Sequence, residues 1–166
     1  MTTQRRPFFV LKYEKLRISA LALGLLAVAP RSVCSWDHLD AALRLVPKRP
    51  EVVVVESSDP RAIAAAVAWG VKAERVRAFT LASDARTVYV NKSVDPYRCA
   101  AHRNQTCVLL FAALIWHEAS HLEGLDEDQA QLREEELFRL FVTEHRIDLA
   151  TGQQVLRAMA ARRDHH

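Results

Sequence analysis

Only three of the 166 residues are cysteine. They form no CxxC pair and no cysteine–histidine spacing of the structural-zinc kind, which excludes a metal site built on thiolates. A membrane-spanning apolar run is also missing. The stretch Ile18 to Ala29 (ISALALGLLAVA) falls short of the about 20 residues a span requires, and lengthening it back to Val10 would enclose Lys12, Glu14, Lys15 and Arg17. Strong charge of one sign is absent: the net charge is +3, with positive charge gathered at Arg5, Arg6, Lys12, Lys15 and Arg17 and again at Arg157, Arg162 and Arg163. No basic stripe interleaves with aromatics, so the chain argues against a nucleic-acid partner. No segment repeats, which sets aside solenoid architectures.

Half of the residues are hydrophobic and 26% are charged, a balance that suits one domain with a real core. Residues 1–34 stand apart. A basic stretch to Arg17, the apolar run and then Pro30 and Arg31 have the order of an export signal or membrane-anchoring segment, leaving 35–166 as a single domain. The expected location is periplasmic, extracellular or membrane-associated, and the alternative is a cytoplasmic protein with an uncleaved amphipathic N-terminal helix. Cys99 and Cys107 flank the polar loop AAHRNQT and are placed to close it as a disulfide in an oxidising compartment, whereas Cys34 has no obvious partner.

Along the domain, Ser35 is placed to cap a short helix through Leu45, ended by Pro47 to Pro50. Glu51 to Glu56 (EVVVVE) reads as a strand buried on both faces and central to a small sheet. Asp59-Pro60 opens an alanine-rich helix that runs to Gly70. Arg75 to Ala82 and Thr87 to Asn91 alternate on either side of Ser83-Asp84-Ala85-Arg86, the pattern of a hairpin. The polar stretch Asn91 to Thr106 reads as a surface loop. A helix from about Thr106 to Leu122 follows, apolar nearly all round over Cys107 to Trp116, so its first turns are expected to be buried. Gly124 stops it, and Asp126 with Gln129 has the spacing of a capping box for the next helix, Glu127 to about His145. A last helix covers about Thr151 to Arg163.

The chemistry concentrates in Trp116-His117-Glu118-Ala119-Ser120-His121-Leu122-Glu123-Gly124-Leu125-Asp126-Glu127. Two histidines four apart lie one above the other on a helix, so His117 and His121 can present two imidazole nitrogens to one metal ion, with Glu118 beside them. This is the HExxH pattern of zinc hydrolysis, in which Zn²⁺ acidifies a water and Glu118 takes the proton. A third ligand must come from outside the first helix. Glu127, six residues after His121 and beyond Gly124, has the spacing of the third ligand in the long motif HExxHxxGxxH, with glutamate in place of histidine.

On these residues, the region from about Phe79 to Leu140 resembles the compact bacterial zincin metallopeptidases of the gluzincin type. There a hairpin precedes the HExxH helix, and a following helix supplies a glutamate, often within E-x-x-A; here Glu127-Asp128-Gln129-Ala130 matches. The resemblance implies an α+β fold: a small mixed or antiparallel sheet of about three strands packed against the HExxH helix and the glutamate-bearing helix. It also implies His117, His121 and Glu127 as zinc ligands, Glu118 as catalytic base, and Thr87 to Asn91 as an edge strand that cradles a peptide by strand addition. The link from His121 to Glu127 is shorter than typical of that family.

Other acidic residues compete for the third position. Asp126 suits the cap, Asp128 points about 100° from Glu127, and Glu134 shares the face of Glu127 two turns on. The run Glu134-Glu135-Glu136 and Glu123 otherwise read as solvated surface. His145, His102 and Tyr97 are candidate oxyanion donors in polar stretches, Trp36, Trp69 and Trp116 read as core or rim packing, and His165 and His166 as a frayed end. The expected activity is zinc-dependent hydrolysis of a peptide or protein substrate, and the alternative is a non-catalytic zincin-like metal-binding or interaction domain. The two differ in one observable: an open coordination position facing a groove.

Overall fold

A computed structural model of the protein describes residues 37–163. The signal-like segment, Ser35, Trp36, His165 and His166 lie outside the described residues. The first helix, α1, covers Asp37–Leu43, and the valine run forms strand β1, Glu51–Val55. Asp59 then caps α2 (Pro60–Ala68), its side chain accepting from the Arg61 amide with proline at the first helical position. A 3-10 turn at Ala73–Arg75 leads into β2 (Ala78–Leu81), and β3 (Asp84–Asn91) returns antiparallel to it. β1 lies parallel to β3 on the other side, giving the order β1-β3-β2.

The predicted hairpin and small mixed sheet are therefore present, but the turn is tighter than expected, Ala82-Ser83, because Asp84 to Arg86 already belong to β3 and Arg75 to the 3-10 turn, and two lateral positions are corrected. EVVVV is an outer strand, half-buried over most of its length, and not the centre of the sheet. Thr87 to Asn91 belongs to the central strand and is paired on both sides, so it cannot accept a further strand. The reason is that a β-branched run reports contact on both faces, not lateral place. Val52 and Val54 pack toward one core and Val53 and Val55 toward the other, although among the described residues one backbone edge of β1 has no strand beside it.

The small residues of α2 let it lie close on one face of the sheet, where Ala62, Ala65 and Ala66 meet Val55, Val76, Phe79 and Tyr89. The rings of Phe79 and Tyr89 stack at 5.2 Å. On the other face Ala78, Val88 and Val90 join Leu109, Phe111 and Ile115 of α4 (Gln105–Leu122), with α1 alongside. Behind α4 lie α5 (Glu127–Thr143) and α6 (Leu149–Arg163), which add Phe138, Phe141 and Met159 to the same core. α4 is thus enclosed between sheet and helices, which is why its sequence is apolar nearly all round. Truncating a fully buried phenylalanine such as Phe111 or Phe138 to alanine costs roughly 3–5 kcal/mol.

The expected loop after β3 contains a short helix, α3 (Tyr97–Ala101), and a Cys99–Cys107 disulfide with Cα atoms 5.6 Å apart ties it to the first turn of α4. Asn91 is not at its surface. It is fully buried, with Nδ2 donating to Ser57 Oγ and the Val76 carbonyl and Oδ1 accepting from the Ser93 amide, so it fastens the end of β3. Among the described residues no helix is long and apolar enough to cross a membrane.

Candidate metal centre

The centre is assembled where α4 ends and α5 begins. At the end of α4, the Gly124 amide donates to the His121 carbonyl and the Leu125 amide to the Ser120 carbonyl, the paired bonds of a Schellman turn. The turn needs a left-handed residue, and Gly124 supplies it at φ +85°. Asp126 then caps α5 in a reciprocal box with Gln129, as its spacing predicts, and this use takes Asp126 out of the competition for a metal. Glu123 holds the junction from outside, paired with Lys48 at 3.1 Å and Arg133 at 2.5 Å.

The short reach from His121 to Glu127 is sufficient. His117 Nε2 and His121 Nε2 lie 3.3 Å apart, and the Glu127 carboxylate bridges them at 3.5 Å and 3.3 Å. Ligands held at about 2.0–2.1 Å around a tetrahedral ion stand about 3.3–3.4 Å from one another, so the three donors already have the spacing a metal needs. These three residues could hold a metal ion, and the imidazole–carboxylate donor set suits a first-row transition metal better than calcium or magnesium. Glu127 is the third member, while Asp128 is exposed on α5.

The second nitrogen of each histidine faces an oxygen outside the cluster, which leaves Nε2 for a metal. His121 Nδ1 lies 3.0 Å from the Leu125 carbonyl, an oxygen supplied by the Schellman turn itself, so the tautomer with hydrogen on Nδ1 is favoured. His117 Nδ1 lies 3.2 Å from Glu134 Oε2. The angle is poor for a hydrogen bond and Nδ1 has no other partner among the described residues, so Glu134 is the one group that steadies this side of the ring. Glu134 is 7% exposed and Glu135 6%, which corrects the expectation of a solvated acidic face. The signal was available: position 134 falls in the buried stripe of α5 formed by Ala130, Gln131, Leu137, Phe138 and Phe141, which outweighs the hydrophilicity of the triplet.

Electrostatics bind the cluster tightly in the absence of an ion. Burial alone would lower the His117 pKa, but the Glu127 and Glu134 carboxylates override it and push it up to about 10. His121 is raised, chiefly by Glu127, and Glu127 is correspondingly held well below the usual carboxylate range by the two histidines. Glu118 is pushed up to about 7 by burial, against the opposing pull of both histidines. A buried carboxyl poised near neutrality is suited to gain and lose a proton at physiological pH.

The cluster opens onto a groove of about 810 Å³ whose opposite wall is the β2 side of the sheet. The Asn91 amide donates to the Arg77 carbonyl, which sets the ladder phase: Arg77 and Phe79 turn their backbone groups toward β3, and those of Ala78 and Thr80 point outward. Ala78 and Thr80 line the groove, so the strand edge beside the site is β2 and not the predicted Thr87 to Asn91. His102 and His145 are exposed and Tyr97 packs between His38 and Phe111; none of the three lines the groove. Trp69 lies at its rim, while Trp116 carries the Arg133 guanidinium 5.3 Å from its ring. Comparison with protein-family profiles, curated proteins and solved structures returned no match.

Proposed function

We propose that this protein is a zinc-dependent hydrolase of peptide bonds, a zincin-type metallopeptidase, with His117, His121 and Glu127 as the zinc ligands and Glu118 as the general base. The observation that carries this reading is the position of Glu118. It is a buried carboxyl next to a three-residue donor cluster, on a groove that runs beside the outer edge of β2, unpaired among the described residues. A bound zinc ion would supply Lewis acidity, lowering the pKa of water toward about 7 and polarising a carbonyl. Glu118 takes a proton from the attacking water on its carboxylate oxygen and returns it to the leaving amine. The outward backbone groups of Ala78 and Thr80 hold the substrate backbone in extended form. Leu125 and Glu134 keep the two imidazoles in the tautomer and orientation that the ligands require.

Among the described residues the donor cluster has three members, which favours an open fourth position and hence turnover over a closed, purely structural site. The disulfide between Cys99 and Cys107 supports an exported protein folded in an oxidising compartment. The test is direct. The full chain should hold one zinc per molecule by elemental analysis, Glu127→Ala should lose it, and Glu118→Gln should keep the metal while losing cleavage of a casein or peptide-library substrate. Turnover that survives Glu118→Gln would sink the mechanism.

A further inference from the structure

The groove has two unlike walls. On the helical side it carries the acidic metal cluster. On the other side α2 ends at Trp69, and Gly70, at φ +66°, turns the chain so that Trp69 and Val71 both line the groove while remaining 54% and 41% exposed. Trp69 and Val71 thus offer an apolar surface at the mouth of the groove to whatever enters. Next to them stand Arg75 and Arg77, which also line the groove and are exposed. Among the described residues neither guanidinium has a carboxylate partner, whereas Arg44, Arg61, Arg133 and Arg146 pair with acids.

Both features sit against the strand edge. Arg77 directly precedes Ala78, the first residue whose backbone groups face outward, so a peptide added to β2 passes the two guanidinium groups at one end and the Trp69–Val71 surface alongside. The acidic residues of the opposite wall would repel a carboxylate on their own, and Arg75 and Arg77 are the counter-charge within the groove.

We propose that the groove selects extended peptides carrying a carboxylate beside a bulky apolar side chain, with Arg75 and Arg77 reading the acid and Trp69 and Val71 the apolar group. This names the substrate class of the site and rests on the hydrolase reading above, but the binding preference can be measured without turnover.

The probes are fluorescein-labelled decapeptides with a central phenylalanine flanked by glutamate, glutamine or lysine, plus a glutamate peptide with serine in place of phenylalanine. All carry C-terminal amides except one glutamine peptide with a free C-terminus, which separates a terminal carboxylate from a side-chain one. Binding is read by anisotropy on the full-chain Glu118→Gln protein, with and without zinc. The glutamate–phenylalanine peptide should bind about tenfold tighter than its glutamine counterpart at low salt, and the gap should shrink at high salt as the exposed charges are screened. Arg75→Glu with Arg77→Glu should reverse the order in favour of lysine, and Trp69→Ala should abolish the advantage of phenylalanine over serine while leaving the charge preference. Equal binding of acidic and basic peptides, or an acidic preference that survives charge reversal, would overturn the proposal. Selective binding without cleavage by the wild-type protein would remove the hydrolase and leave the groove preference standing, whereas cleavage indifferent to peptide charge would do the opposite.

Discussion

The position of Glu134 makes a quantitative demand on metal binding. Its carboxylate is buried 3.2 Å from His117 Nδ1, and that nitrogen has no other partner among the described residues. Removing the carboxylate leaves the ring free to turn and less basic, two changes that weaken the metal bond from the far side of the imidazole. Losses of this kind run to about 10–100-fold in affinity, or about 1.4–2.7 kcal/mol. Glu134→Gln keeps the shape and an acceptor oxygen but not the charge, so it should sit near the lower figure. Glu134→Ala also opens a buried gap and should approach the upper one. The assay is competition for zinc against a chromophoric chelator, which reports affinity whether or not the protein turns over substrate. Glu136→Gln, on an exposed neighbouring residue, is the control and should change nothing. Glu127→Ala should cost more than either Glu134 substitution, because it deletes a ligand and not a support. Wild-type affinity in both Glu134 variants would refute the positioning role, and a Glu134→Ala loss exceeding that of Glu127→Ala would make Glu134 the ligand instead.

Three further outcomes follow from other parts of the structure. Because Glu127 and Glu134 raise His117 to about 10 in the metal-free protein, the ion must displace a proton at neutral pH; zinc affinity should therefore rise as the pH is taken from 6 to 9, with proton release in a weakly buffered titration, and a flat profile would contradict the assigned electrostatics. Gly124→Ala places a side chain at φ +85° and should cost about 1–2 kcal/mol in urea unfolding, together with weakened zinc binding through the displaced Leu125 carbonyl; Gly70→Ala, strained in the same way at φ +66°, should lose similar stability without the loss of metal. Gly152→Ala would set a Cβ 2.5 Å from Val142 Cγ2, an overpacking worth about 1–3 kcal/mol, and Val142→Ala in the same chain should recover most of it.

The candidate metal centre derives its order from two helix ends. A Schellman turn closes α4 and presents the Leu125 carbonyl back to His121, while a capping box opens α5 and leaves the adjacent Glu127 free to face both histidines. The polar groups left unsatisfied at a helix terminus need partners in any protein. Here the turns that satisfy them also position the donors, so the four residues from Glu123 to Asp126 suffice to connect two helices and complete the cluster.

Much of this was determined by sequence alone, because it depends on local spacing. The i, i+4 histidines share a helix face whatever surrounds them, Gly124 and the Asp126–Gln129 pair mark their turns by backbone preference, and the alternating runs announce a hairpin, although its turn falls at Ala82-Ser83 and not over Ser83 to Arg86. Tertiary structure decided what local spacing cannot encode. Which strand lies at the edge depends on where the chain returns after α2, so β2 and not Thr87 to Asn91 borders the groove. Whether Glu134 and Glu135 meet water depends on what packs against α5, and there the partner is His117 for one and the protein interior for the other. The bringing together of Trp69, Arg75 and Arg77 with His117, His121 and Glu127, far along the chain, is likewise a matter of long-range packing. Hydrogen bonds within a turn act over a few residues, whereas burial and lateral order are settled by contacts between segments far apart in the chain.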